Sequence, residues 1–96
     1  MTGDDKVEVR NVNAPDHVTR VDRAKYETMR DAMLHVMSLE PMTAAQIKAA
    51  VLPRLPDALF PEGKTAGWWL KCVQIDLEAR GTLQRHQTKP LTFSTT

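Results

Sequence analysis

The segment from Thr65 to Phe93, TAGWWLKCVQIDLEARGTLQRHQTKPLTF, constrains this chain most, because its hydrophobic period changes once, at a glycine. At about 100° per residue, Ala66, Leu70, Val73 and Leu77 share one side of a helix, with Trp69 on its flank. That side is the candidate core face. Trp68, Cys72, Ile75 and Ala79 make a second apolar side roughly opposite, and Lys71, Gln74 and Glu78 form a polar stripe between the two. Adjacent helical residues point about 100° apart, so Trp68 and Trp69 cannot both face one core. The spacing predicts a helix from Ala66 to about Arg80, capped by Thr65 and stopped by Gly81 in the left-handed conformation. Beyond the stop, Leu83, Leu91 and Phe93 return to the same core from two strands, leaving Gln84 to Lys89 as a polar tip. Lys89 precedes a proline and is therefore extended, while Pro90, lacking an N–H, belongs at a strand start or edge.

Upstream, Tyr26, Met29, Met33, Val36 and Met37 fall at the spacing of one helical face, which predicts a first helix from about Asp22 to Ser38. Asp22 is its N-cap, and Arg23, Lys25, Arg30 and Asp31 take the solvent side. Pro41 closes it. Thr43 and Gln46 form a capping-box pattern that opens a second helix, with Met42 and Ile47 stapling the entrance and Ile47, Ala50 and Val51 buried. Pro53 and Pro56 end that helix near Leu52, and a linker carrying Leu59, Phe60, Pro61 and Gly63 follows. Before all of this, Met1 to Asp5 read as a frayed terminus, and Val7 and Val9 alternate with Lys6, Glu8 and Arg10 in the period of a short strand. Asn11 to Asp16, with Ala14 before Pro15, then breaks the pattern. The chain thus divides into an arm, residues 1–21, and one domain, residues 22–96.

Ninety-six residues suffice for one domain with a modest core, without metal or disulfide staples. With 13 Lys plus Arg against 12 Asp plus Glu, the net charge of +1 gives no global attraction for nucleic acid or anionic lipid, so any basic footprint is local. Cys72 is the only cysteine, which excludes an internal disulfide and a cysteine-rich zinc site. No segment approaches the roughly 18 to 20 apolar residues of a membrane span, and the start has no apolar signal core. The expectation is a cytoplasmic protein with no membrane partner.

The stretch LKCVQIDLEARGTL resembles the leucine-patterned helix, ending in Glu-x-x-Gly, that precedes a wing in bacterial winged-helix proteins. The resemblance spans residues 22–94. It implies an α+β domain of three helices with a small antiparallel sheet, its C-terminal hairpin serving as the wing, joined by the N-terminal strand. The linker is longer than the turn of a minimal helix-turn-helix, which is a departure from the pattern. The longer string GWWLKCVQIDLEARG is similar to the signature of a family of short, uncharacterised bacterial proteins, and that resemblance implies no activity.

Two classes of function follow. In a DNA-binding winged helix the third helix enters the major groove, so the resemblance implies double-stranded DNA as partner, with contacts from Lys64, Thr65, Lys71 and Gln74 and from Arg85, His86 and Lys89 of the wing. A local excess of three positive charges between residues 64 and 96 agrees with this. Of the outward residues of the helix, however, only Lys71 is a good nucleic-acid ligand. The second class is protein interaction, including homodimerisation, through Trp68, Cys72 and Ile75, because an apolar outer face on a helix has to be covered. Three covers are open: the arm with Val7, Val9 and Val12, the linker with Leu59 and Phe60, or a second subunit.

Catalysis finds little support. Gly63-Lys64-Thr65 before a helix is similar to the end of a phosphate-binding loop, but Ala58 stands where the first glycine belongs, and Pro61 interrupts the loop. His17, His35 and His86 lie in different elements without metal-ligand spacing. Cys72 sits mid-helix, where a thiolate is not favoured. The expectation is a non-enzymatic module with no cofactor and no metal.

Overall fold

A computed structural model describes residues 6–11, 16 and 18–96. In chain order the elements are β1 (Lys6–Arg10), β2 (Val18–Asp22), α1 (Arg23–Val36), β3 (Met42–Thr43), α2 (Ala44–Val51), α3 (Ala66–Ala79), β4 (Leu83–His86) and β5 (Thr92–Thr95), with 3₁₀ turns at Leu52–Arg54 and Pro61–Gly63. The fold is α+β. β1 and β2 form one antiparallel hairpin, and a second antiparallel sheet has the order β3-β5-β4. None of the helices described is long and apolar enough to cross a membrane. The expected fraying of Met1 to Asp5, the break around Ala14 and Pro15, the covering role of Val12 and the position of His17 fall outside the described residues.

Local chemistry sets the helix boundaries. The Asp22 carboxylate accepts the Lys25 N–H at 3.0 Å and so starts α1. Tyr26, Met29 and Met33 line its buried face, joined by Ala32, and Met37 remains buried just past the last turn. At α2 the capping box is complete: the Gln46 N–H donates to Thr43 Oγ1 at 3.1 Å, and the Thr43 N–H donates to Gln46 Oε1 at 2.9 Å. Ile47 and Val51 then lie fully buried, and Pro53 turns the chain out of the helix. Phe60, in the long connection, plugs the common core.

Helix α3 is the spine of the molecule. Ala66, Leu70, Val73 and Leu77 are buried, as the periodicity predicts. At its end Gly81 takes φ 82°. The Thr82 N–H reaches Leu77 O at 2.9 Å and the Gly81 N–H reaches Glu78 O at 3.1 Å, a Schellman closure. A Cβ on Gly81 would meet nothing within 4 Å, so backbone conformation and not space requires the glycine.

The helix begins differently from expectation. Thr65 occupies the N-cap position but has φ 64°, and its side chain makes no capping hydrogen bond. A capping side chain needs an extended backbone to reach the first-turn N–H groups. Here the preceding turn, with left-handed Glu62 and Gly63, delivers Thr65 already left-handed.

Leu83 and Phe93 enter the same core from one sheet, Phe93 standing opposite Arg85. Leu91 does not join them. It precedes β5 and is 38% exposed. The residue 1–21 arm also supplies more than one strand: β2 pairs with β1 along its length, and Val9 and Val21 belong to the shared core.

Candidate functional site

The outer side of α3 carries the unusual surface. Trp69 packs inward while Trp68, one residue earlier, is 59% exposed, and the two rings meet edge to face with centroids 5.0 Å apart. Cys72 and Ile75 are half-buried. Of the three covers open to this face, the arm supplies one, because the β1–β2 hairpin stands beside α3. Between hairpin and helix lies a groove of about 300 Å³ walled by Val9, Val21, Trp68, Cys72 and Ile75. On the other side, α3, the start of α2 and the β4–β5 hairpin enclose a second groove of about 680 Å³, walled by Ala44, Ala45, Leu70, Ile75, Leu91 and Phe93. Gly67, Lys71 and Ile75 line both and form the ridge between them.

What holds the arm against α3 is Asp76, which is fully buried. Its Oδ1 accepts the backbone N–H of Arg10 at 2.7 Å, and its Oδ2 accepts Arg80 Nε at 2.8 Å and the hydroxyl of Tyr26. A buried carboxylate is tolerated when its lone pairs are met by donors, and three donors meet this one. Arg80 also donates to Glu8 O at 3.0 Å, and Arg23 donates to Lys6 O at 3.2 Å. The outer edge of β1 is therefore closed by side chains from α1 and α3.

These contacts shift the groups involved. Burial, then the hydrogen bond to Asp76 and its negative charge, raise the Tyr26 phenol well above its ordinary value. The bond to Asp76 likewise raises Arg80. Cys72, packed against the core, is pushed up to about 11 by burial and by the Asp76 charge, so it stays a thiol at neutral pH.

The seven residues proposed for DNA contact do not form one free surface. Gln74, placed by its spacing in the polar stripe and proposed for DNA contact, is buried and donates to Glu78 Oε1 at 3.0 Å. Arg85 is also engaged: Nε lies 3.1 Å from Glu78 Oε2, a terminal nitrogen donates to Oε1 at 3.2 Å, and the guanidinium sits 5.7 Å from the centroid of the Phe93 ring. The physical reason is the β4–β5 hairpin, because β4 lays Arg85 over Glu78 and closes a Gln74-Glu78-Arg85 chain beneath it. His86 Nε2 pairs with Ser94 Oγ at 2.9 Å. Lys64 is exposed with Glu62 3.8 Å away, Lys89 is exposed at the hairpin tip, Thr65 is exposed at the helix entrance, and Lys71 is exposed on the ridge.

Two participants are absent from the residues singled out by sequence reasoning. Lys48 of α2 places its ammonium within 3.5 Å of where a Gly67 Cβ would stand, over the first turn of α3. Asp76 is the other. Its signal was present, because at about 100° per residue it lies about 20° from Trp69, on the border of the core face. Among the described residues no group of three His, Cys, Asp or Glu is placed to hold a metal ion.

Residues 6–93 match a family of unknown function, DUF6958, and the chain belongs to that family. No curated protein and no solved structure matches it.

Proposed function

We propose that the chain is a non-catalytic binding module on a winged-helix plan, which receives another protein on the outer side of α3. The plan is supported by the order of elements: α3 runs through a glycine stop into the β4–β5 hairpin, and β3, lying between the first two helices, completes the sheet against β5. The observation that carries the binding reading is the exposed Trp68 in the wall of the arm-side groove, next to a ridge through Ile75 that two apolar grooves share, in a helix whose opposite face already fills the core. Exposed tryptophan flanked by concave apolar surface is the usual anchor of a protein interface.

DNA binding is the second reading, favoured by the lysines. Arg80 and Arg85 are paired with Asp76 and Glu78, so the local positive excess resides in Lys64, Lys71 and Lys89. Three lysines fall short of the half-dozen phosphate contacts on which useful affinity ordinarily rests.

A photoreactive amino acid at position 68, compared with one at Arg54 on a separate cleft, tests the choice in cells. The protein reading expects a discrete nuclease-resistant adduct from position 68 alone. A nuclease-sensitive adduct favours DNA, and equal labelling from both positions contradicts a binding role for this face.

A further inference from the structure

The walls of both grooves are apolar, but their charged groups are all of one sign. The arm-side groove carries Arg10 and Lys71, the wing-side groove carries Lys48, Lys71 and Arg85, and among the described residues no aspartate or glutamate lines either. Arg85 is neutralised by Glu78, whereas Lys48 and Lys71 make no ion pair among the described residues. Lys48 is placed where a cation gains least, over the first turn of α3, at the positive end of the helix macrodipole. That turn holds no acidic residue and no side-chain cap. Two ammonium groups without an ion pair therefore stand at the wing-side groove, Lys71 on the ridge and Lys48 over the first turn of α3.

Resting on the protein-binding reading above, we infer that the ridge and its wing-side groove take an acidic amphipathic segment of another protein. Its apolar side chains would lie against Ile75, Leu91 and Ala44, and its carboxylates would meet Lys48 and Lys71. Such a segment supplies what the surface lacks on both counts, apolar cover and negative charge. A second copy of this chain supplies only the first. In an isologous dimer through the ridge, Lys71 near the axis would face its own copy, and like charges brought together at an interface are disfavoured. A groove of about 680 Å³ has room for a few anchoring side chains, not for a globular surface.

The test is selection from a phage-displayed library of random 16-residue peptides on the full chain, followed by fluorescence anisotropy with the enriched peptides. Ile75→Asp, Lys48→Glu and Lys71→Glu variants, each shown folded by circular dichroism, are measured alongside. The inference expects enriched peptides that alternate carboxylates with large apolar residues. Their affinity should fall by about tenfold or more with Lys71→Glu, less with Lys48→Glu, and severalfold when salt is raised. Enriched peptides that are neutral or basic, lost with Ile75→Asp but indifferent to both lysine reversals, would overturn the charge inference and leave the docking reading standing. If no peptide depends on Ile75, or if mixed-sequence duplex DNA displaces the peptides and itself binds in a Lys71-dependent manner, both fall.

Discussion

The two hairpins flank the same helix but are held to it by different chemistry. The β4–β5 hairpin is part of a three-stranded sheet, paired through β5 to β3, and it drives Leu83 and Phe93 into the core. Among the described residues the β1–β2 hairpin has no third strand. It gives Val9 and Val21 to the core, and the free edge of β1 is bonded by Asp76, Arg80 and Arg23. Apolar burial is cumulative and insensitive to pH, whereas a network centred on one buried carboxylate depends on a few groups and their protonation. The β4–β5 hairpin is therefore expected to unfold with the domain, and the arm to be separable from it.

Phe93→Ala gives the largest effect, a loss of roughly 3 to 5 kcal/mol in urea denaturation, with hydrogen-exchange protection falling in both hairpins together. If the arm kept its protection while the β4–β5 hairpin lost it, that hairpin would not be the more integral of the two.

Asp76→Ala comes next. It removes the acceptor of three donors, and because Arg80 is partly exposed its share is screened, which leaves a cost of about 2 to 3 kcal/mol. The sharper expectation is spatial: the Arg10 amide exchanges quickly while β4 and β5 remain protected. Equal loss in both hairpins would make Asp76 a general core residue and erase the contrast.

Tyr26 tests the same network from the α1 side. Tyr26→Phe should cost about 1 kcal/mol at neutral pH. It is the chain's sole tyrosine, so phenolate absorbance reads it alone. Its pKa is raised in the folded state, so the stabilisation is fully present below the ordinary value near 10 and is lost as pH climbs through the raised one. Absorbance rising with a midpoint near 10 while circular dichroism remains native would contradict the Asp76 contact.

The smallest effect leaves stability untouched. With its pKa near 11, Cys72 should carry about a hundredfold less thiolate at neutral pH than an ordinary cysteine, and iodoacetamide should modify it correspondingly slowly. Rapid modification of the folded protein would mean that the arm does not shelter this part of α3.

The contrast between the hairpins also explains what could be read from the sequence. The C-terminal hairpin was legible because Gly81 stops a periodic helix and alternation follows, and the capping box at Thr43 was legible because it is local chemistry. The second strand of the arm was not, since Val18 to Asp22 holds too few apolar residues to show a period. Thr65 was misread as a cap because a left-handed backbone cannot be inferred from residue type alone. At the candidate site, the apolar outer residues Trp68, Cys72 and Ile75 were correctly grouped on one side of α3. Gln74 is buried and bonds Glu78 one turn along α3, whereas Arg85 meets Glu78 only once β4 folds back over the helix, a contact that no local pattern announces.

The central claim is that α3 has one apolar side that folds the protein and another that the protein leaves open. Urea denaturation of Ile75→Asp, set beside Leu77→Ala, tests it most directly. Leu77→Ala should cost roughly 2 to 5 kcal/mol, while Ile75→Asp, on the ridge beside Lys71, should cost about 1 kcal/mol or less. An Ile75→Asp variant as destabilised as Leu77→Ala would show that the outer side is core, and there would be no open face for a partner to occupy.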